Sequence, residues 1–558
     1  MSHPYLKNIL VIVALGTFAA CSNEKKIGNE YNGDLSGFNE DSLALHISDL
    51  SSDAFMGRKP FTKGEELTIN YLRDHFQALG VEPGNGISYF QTVPMVKITT
   101  TAEETMQLRA TYENITLKGF EDYVIWTDKT DKQIRLKEVE LVFAGYGVVA
   151  PEHNWNDYEG LDVKGKVVLV LVNDPGFNAG DHSLFKGNRM TYYGRWTYKF
   201  EEAARQGARG CLIIHDTKAA SYGFQVVQNN WNNSRLRLDD RESNNKQPYC
   251  DMIGWVSADA AKKILKASRQ DQSLFESADR PGFRGRSLGL KVSVGMKVET
   301  EYNTSNNVIA KITGSKFPNE YIIYTAHWDH LGIGKPDEKG DSIYNGAVDN
   351  ASATAGLLEL AKAFKRSKTR PDRTIIFLAV TAEEQGLWGS AYYAQNPVYP
   401  LEKTLANINM DGLNYYGKTH DIIVVGQGQS ELEDYLEKEL HKVGRVITYE
   451  TNPEAGSYYR SDHFNFAKVG VPALYTSSGV EVLDEHVNYG KEVKEKYNAE
   501  RYHRPSDHFD DTWRLDGAID DLQLMYKVGR KLASTKKWPQ WKPGSEFKAV
   551  RERMLKGH

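Results

Sequence analysis

Five short segments in the carboxyl-terminal half gather nearly all of its clustered His, Asp and Glu. They are Tyr324-Thr325-Ala326-His327-Trp328-Asp329-His330, Gly346-Ala347-Val348-Asp349-Asn350-Ala351-Ser352, Thr381-Ala382-Glu383-Glu384-Gln385-Gly386-Leu387-Trp388-Gly389-Ser390, Asn409-Met410-Asp411-Gly412 and Arg501-Tyr502-His503-Arg504-Pro505-Ser506-Asp507. Any one of them is ordinary. A lone His-x-Asp is a surface or capping pair, and Glu-Glu is a solvated helix start. In order and in strand–loop context they point to one cation-dependent centre. Asp349, Glu383, Glu384 and Asp411, brought together without a cation, would repel, and shared sites raise carboxyl pKa values by units. Two Zn²⁺ ions against three coordinating carboxylates and neutral imidazoles leave a net positive site that favours hydroxide. The oxygen and nitrogen donors suit zinc, with Co²⁺ or Mn²⁺ left open.

The elements around these segments must do the positioning. Apolar runs at 321–325 and 374–381 lead straight into the first and third segments. Open parallel sheets bind ligands at the carboxyl ends of their strands, so His327, Glu383 and Glu384 are expected on one crevice. Asp349 precedes a helix over 352–366, whose amino terminus favours a carboxylate. From Asn307 onward, strands (321–325, 374–381, 422–425, 472–476) alternate with helices (352–366, 389–395, 430–443, 513–532). That alternation predicts an α/β fold: a mixed, mostly parallel sheet sandwiched by helices. Upstream, the 40–82 stretch reads as helical from Leu43, Ile47, Leu50 and then Ile69, Leu72, Phe76, Leu79, with Gly80 as the stop. Between 93 and 302, short apolar runs alternate with turn residues, as in a mostly β module with one helix near 198–206.

With Leu50-Ser51-Ser52-Asp53-Ala54-Phe55-Met56-Gly57-Arg58, Asn307-Val308-Ile309-Ala310, Ser461-Asp462-His463-Phe464 and Gly470-Val471-Pro472-Ala473, these segments resemble the zinc exopeptidases that include bacterial leucyl aminopeptidases. Glutamate carboxypeptidase II and the transferrin receptor ectodomain are more distant members. The resemblance implies two zinc ions, with Asp349 bridging them. His327 and Asp411 would complete one site, and Glu384 and His503 the other. Glu383 would be the general base, taking a proton from water and passing it to the leaving amine. Tyr502 would hydrogen-bond the oxyanion, unless it is a packed core tyrosine. Asp329 would hold the His327 imidazole, and Asp507 would serve His503 or the chain around it. Arg460 either faces the cleft towards peptide carbonyls or makes a surface salt bridge. His330, His463 and His508 read as supporting or structural. The Asp349–Asn350 bond is expected cis, as is frequent in this family. Ala353 stands where relatives often carry Gly. The family implies peptide substrates, and the likeness favours an aminopeptidase over a carboxypeptidase.

Ala144-Gly145-Tyr146-Gly147-Val148, the stretch from Asp157 to Val167, Lys199 to Gly207 and Gly210 to Ile214 resemble a protease-associated domain. That implies an inserted domain over 93–302 that borders the cleft. The amino-terminal peptidase part would then be 38–92, the catalytic part 303–540, and 541–558 a basic, peripheral tail.

The amino terminus reads as an address. Lys7 precedes an apolar run from Ile9 to Ala20, the length of a signal-peptide core. Phe18-Ala19-Ala20-Cys21 resembles a bacterial lipoprotein cleavage site, with Cys21 lipidated, 1–21 as the signal and 22–37 as a polar tether. The membrane would be a partner through that lipid, and the cell envelope the location; a plain secretory signal is the alternative. Cys211 and Cys250 either pair in an oxidising envelope or stay free and buried.

Other function classes fit less well. Across 558 residues the net charge is −5, which gives no broad basic surface for nucleic acid. Three cysteines cannot build a disulfide scaffold. Gly285-Arg286-Ser287-Leu288-Gly289 matches G-x-S-x-G, but Pro281 and Gly282 precede it and a strand pattern follows where a helix is needed. A non-catalytic ectodomain would have lost ligands, and a glutaminyl cyclase uses one zinc. Oligomeric state is not readable.

Overall fold

Two long strands tie the chain together in the computed structural model, which describes residues 35–110, 113–179, 183–243 and 246–557. Phe90–Ala102 and Arg286–Ile312 pair antiparallel from Met296↔Ala102 to Val308↔Phe90. One end of this ladder belongs to the module between them. The other end is the edge of the carboxyl-terminal sheet. The sequence boundaries at 92/93 and 302/303 therefore fall inside continuous strands.

From Val308 the second strand runs antiparallel to Arg373–Val380. Next come Phe317–His327, Thr404–Met410 and Ala473–Ser478, each parallel to its neighbour. Asp421–Val424 pairs antiparallel with Ala473–Ser478 and parallel with Val446–Tyr449. The parallel centre is buried on both faces, which is why Arg373–Val380 and Thr404–Met410 read as nearly unbroken buried runs. One face packs on Leu43, Phe76, Leu357, Leu436 and Leu522 from five helices: Glu40–Leu50, Lys63–Ala78, Ala353–Arg366, Leu432–His441 and Asp516–Ser534. The other face meets Tyr393 and Phe466. Among the described residues no helix is long and apolar enough to cross a membrane.

The 40–82 stretch is not one helix. It breaks between Leu50 and Lys63, where Met56, Gly57, Arg58 and Phe61 take left-handed backbone. Glycine is required at 57, because a Cβ there would lie 2.6 Å from the carbonyl oxygens of Gly332 and Tyr344. The break turns Arg58 inward, to 1 % exposure.

The module 93–302 has hydrophobic cores of its own, one around Leu141, Phe143, Leu169 and Leu290 and another around Val170, Ile213 and Trp255. Its strands Gln133–Phe143, Val167–Leu171, Gly210–Ile214 and Met252–Val256 run parallel, and the helix Trp196–Arg205 stands beside them. Cys211 and Cys250 are free and buried. Ser287 lies in a strand and donates to Glu140, so no nucleophile elbow exists there.

The tail is not peripheral. Trp541 and Phe547 are buried in a cluster with Tyr458, Tyr459 and Phe464. Trp541 Nε1 donates to Gly470 O at 2.9 Å, and buried Arg551 donates to the carbonyls of Leu401 and Thr404. Its basic residues masked two aromatic anchors. The signal, Cys21 and nearly all of the tether lie outside the described residues.

Candidate active site

Strand order does the assembling. Phe317–His327, Arg373–Val380 and Thr404–Met410 are parallel neighbours. Their carboxyl ends deliver His327, the Glu383–Glu384 pair and Asp411 to one place, as the strand-end argument requires. Asp349 arrives from the turn before the helix Ala353–Arg366, with the Asp349–Asn350 bond cis as expected. His503 comes last, in left-handed backbone.

Asp349 divides its carboxylate between two histidines. His327 Nε2 lies 3.3 Å from Asp349 Oδ1 and 3.3 Å from Asp411 Oδ1. His503 Nε2 lies 3.2 Å from Asp349 Oδ2 and 3.1 Å from Glu384 Oε2. The inner part of the centre is closed to solvent, with His327 1 % exposed and Asp349 8 %, while His503 stays partly open. Burial alone would lower the His327 pKa, but Glu383, Asp349 and Asp411 outweigh it and hold it well above the ordinary value. His503 is likewise raised to about 10 against the effect of burial, by Asp349 and Glu384. Burial, with Asp411 and Glu384, pushes Glu383 well up, and His327 opposes the shift.

The donor set fits a metal. Ligand atoms of His327, Glu383 and Asp411 lie within 4.8 Å of one another, as do those of His330, Asp349 and Glu384. Glu384 Oε1, His503 Nε2 and both ring nitrogens of His330 are buried and have no hydrogen-bond partner. Buried polar atoms without partners are costly, and clustered buried carboxylates more so, unless a cation takes up the lone pairs.

The supporting residues differ in detail from the sequence reading. The backbone carbonyl of Asp329, not its carboxylate, faces His327 Nδ1 at 3.1 Å; the carboxylate is 3.8 Å away. Among the described residues Asp507 forms no hydrogen bond or ion pair with His503. Its two oxygens accept the N–H groups of Val348 and Asp349 at 3.2 Å each, and Tyr497 Oη donates to it. It therefore fixes the approach to Asp349. Tyr502 is not a core tyrosine: it is 47 % exposed and stacks on His503 with ring centroids 3.9 Å apart. Arg460 faces the cleft and forms no ion pair among the described residues; its Nη2 donates to Ala455 O. His463 is packed between Tyr458 and Tyr475, and His508 pairs with Asp341.

Two residues were missed. Ser461 donates to Asp411 Oδ2 at 2.7 Å while accepting from Asn409. Arg58 donates to the carbonyls of Trp328, Leu50, Asn345 and Gly346, behind the centre. Both sit in segments that carried the family likeness, and that was the available signal.

In front of the centre lies a cleft of about 930 Å³. Glu383, Glu384, Trp388, Arg460 and Tyr502 line one side, and the module's Arg195, Trp196 and Arg235 the other.

Residues 307–526 match peptidase family M28. Two curated proteins align with parts of this chain. Aminopeptidase NAALADL1 of Mus musculus is 37% identical over 139 residues, 24% of this chain and 17% of that protein. A glutamate carboxypeptidase 2 homolog of Caenorhabditis elegans is 30% identical over 400 residues, 61% of this chain and 47% of that protein. The chain thus spans less than half the length of these curated relatives. Among solved structures, an aminopeptidase from Aneurinibacillus sp. strain AM-1 aligns over 92% of this chain and 96% of its own, with 20% identity and a TM-score of 0.46.

Proposed function

We propose that the protein is a zinc-dependent exopeptidase that removes amino-terminal residues from peptides. The observation that carries this reading is the carboxylate of Asp349 divided between His327 and His503, with Glu384 and Asp411 at its flanks. Two zinc ions would be held, one by His327 and Asp411, one by Glu384 and His503, with Asp349 shared. Bound zinc supplies a Lewis acid that can bring the pKa of water down towards about 7.

The chain's own residues do the rest. Glu383 holds the proton released from the attacking water on its carboxylate and returns it to the leaving amine. Tyr502, at the cleft side of His503, donates to the oxyanion as the carbonyl becomes tetrahedral. Arg460 contacts the peptide. The cleft between the M28-matching region and the module limits which peptides enter, in keeping with a protease-associated domain over 93–302. Cys21 carries the lipid that anchors the protein in the cell envelope.

A carboxypeptidase is the second reading, and one observation favours it. Arg195 and Arg460 line the cleft without a carboxylate partner among the described residues, and burial together with Arg460 lowers Arg195 to about 10. Such a pair suits a terminal carboxylate.

One experiment separates the readings. Zinc-loaded protein lacking residues 1–21 is given one peptide in three forms: free ends, acetylated amino end, amidated carboxyl end. Mass spectrometry reads the products, with Glu383→Gln as control. Stepwise amino-terminal loss, blocked by acetylation and abolished in the variant, is the expected result. Carboxyl-terminal loss blocked by amidation would replace it with the carboxypeptidase. No cleavage of any form would overturn both.

A further inference from the structure

Glu546 belongs to the carboxyl-terminal tail, beyond the M28-matching residues, yet its side chain is only 4 % exposed. Each of its oxygens joins the module to the M28-matching region. Oε1 accepts the backbone N–H of Tyr192 from the module at 3.4 Å and the hydroxyl of Tyr459 at 2.6 Å. Oε2 accepts Lys186 Nζ from the module at 3.0 Å and Gln429 Nε2 at 3.5 Å. Burial would raise this carboxyl, but Lys186 and the Tyr459 hydroxyl outweigh it and hold it below its ordinary value. The cross-link is therefore an anion at neutral pH, and hydrogen bonds to an anion are the strong ones.

Both tyrosines lead into the cleft. Tyr192 stands three residues before Arg195, which opens the helix Trp196–Arg205, and Arg460 follows Tyr459 directly. The stretch 186–195 is docked on the M28-matching region along its length. Arg189 donates to Gln427 O and Oε1 at 2.6 and 2.8 Å, and the Met190 N–H donates to Pro453 O at 3.2 Å. The Met190 side chain is buried with Tyr458, Tyr459 and Phe464. Arg195 and Arg460 line the same cleft, close enough for Arg460 to depress Arg195. Two cations without a carboxylate partner repel each other, so the pair does not set its own spacing. The restraint comes from behind, where Glu546 reaches the chain just before each arginine.

We infer that Glu546 is a positioning residue for peptide binding: its carboxylate fixes the separation between the Arg195 wall and the Arg460 wall of the cleft. The inference rests on the exopeptidase reading above, and it holds whichever end of the peptide is removed, since both readings place the peptide against these arginines. It separates binding from chemistry. His327, Glu383, Glu384 and Asp411 are placed by the ends of parallel strands, which Glu546 does not touch. Loosening the cross-link leaves the reacting groups where they are and lets the two walls of the cleft drift apart. The cost falls on substrate affinity.

The test uses the whole zinc-loaded mature chain and steady-state kinetics on one short peptide that wild type cleaves. Glu546→Ala should raise KM about tenfold, the contribution of one hydrogen bond to a charged group, while kcat per zinc-loaded molecule changes little. Glu546→Gln, whose amide oxygen still accepts from Tyr192 and Tyr459, should give a KM between the two. Thermal melting checks that each variant is folded. Lys186→Met removes one partner of Oε2 and is the second variant in case Glu546→Ala does not fold; it should raise KM in the same direction. A folded Glu546→Ala with the wild-type KM would overturn the inference. So would a lower kcat at unchanged KM, the sign of a purely structural loss. If only Lys186→Met folds, an unchanged KM there would overturn it. Wild type that cleaves no peptide would instead overturn the exopeptidase reading, and this inference with it.

Discussion

Asp329 Oδ1 accepts the backbone N–H of Glu383 at 3.0 Å, linking the ends of two neighbouring parallel strands. The same residue faces His327 Nδ1 with its carbonyl. One side chain and one carbonyl thus set the register between a metal-ligand candidate and the proposed base. Asp329→Ala should lower kcat by about 10–100-fold, the usual cost of removing a support around a metal site. Asp329→Asn, whose amide oxygen still accepts from Glu383, should keep most of the activity. Steady-state kinetics on one small chromogenic peptide tests both.

Glu383→Gln should reduce kcat by about 10²–10⁴-fold, because the amide cannot take a proton. Zinc content by atomic absorption should not change. Loss of zinc in this variant would make Glu383 a ligand, a role its closeness to His327 and Asp411 also permits.

Removing the metal should cost stability as well as activity. A cation bound only by the folded chain stabilises it, by about 2.7 kcal/mol at a hundred times its Kd. Without it, Asp349, Glu383, Glu384 and Asp411 face one another with few donors between them. Chelated protein should melt several degrees lower, and added zinc should restore both melting temperature and turnover. An unchanged melting temperature would mean the carboxylates are satisfied without a cation.

The centre was legible because two rules act on short stretches of sequence. Buried parallel strands read as apolar runs, and ligands gather where such runs end; His327, Glu383 and Glu384 follow from that alone. Asp349 was marked by the helix it precedes, whereas the roles of Asp411 and His503 needed the family likeness, since their loops have no periodicity to read. Arg58 was out of reach in physical terms. All its partners are carbonyls, and three of them lie at Trp328, Asn345 and Gly346, far along the chain. Nothing local marks an arginine for burial. The broken helix before it was missed for a related reason: apolar spacing persists on both sides, while the left-handed backbone of the break is carried by Gly57 together with three residues that rarely adopt it, Met56, Arg58 and Phe61.

The tail was misread from its charge, and its removal should be felt. Trp541 and Phe547 fill a cluster that includes Tyr459, and Tyr459 Oη donates to Glu546 at 2.6 Å. Glu546 also pairs with Lys186 of the module at 3.0 Å. Trp541→Ala should destabilise by about 3–5 kcal/mol, as for other buried aromatics. Denaturant unfolding checks this. Because Arg460 follows Tyr459 directly, the same variant should raise KM more than it lowers kcat.

Stability should also fall in mild acid through His46. Burial lowers its pKa to about 4, and His75 and Lys362 add to the shift. It packs edge-on against Tyr71 and His75 from the next helix. Between its ordinary value of 6.5 and about 4, the unfolded chain binds a proton that the folded chain refuses. Stability therefore drops as pH falls through that window, by up to about 3 kcal/mol, and this contribution levels off below it. His46→Gln removes the titration, so its unfolding free energy should fall less than that of wild type between neutral pH and about pH 4.5. Parallel slopes for the two proteins would show that His46 takes up its proton equally in both states.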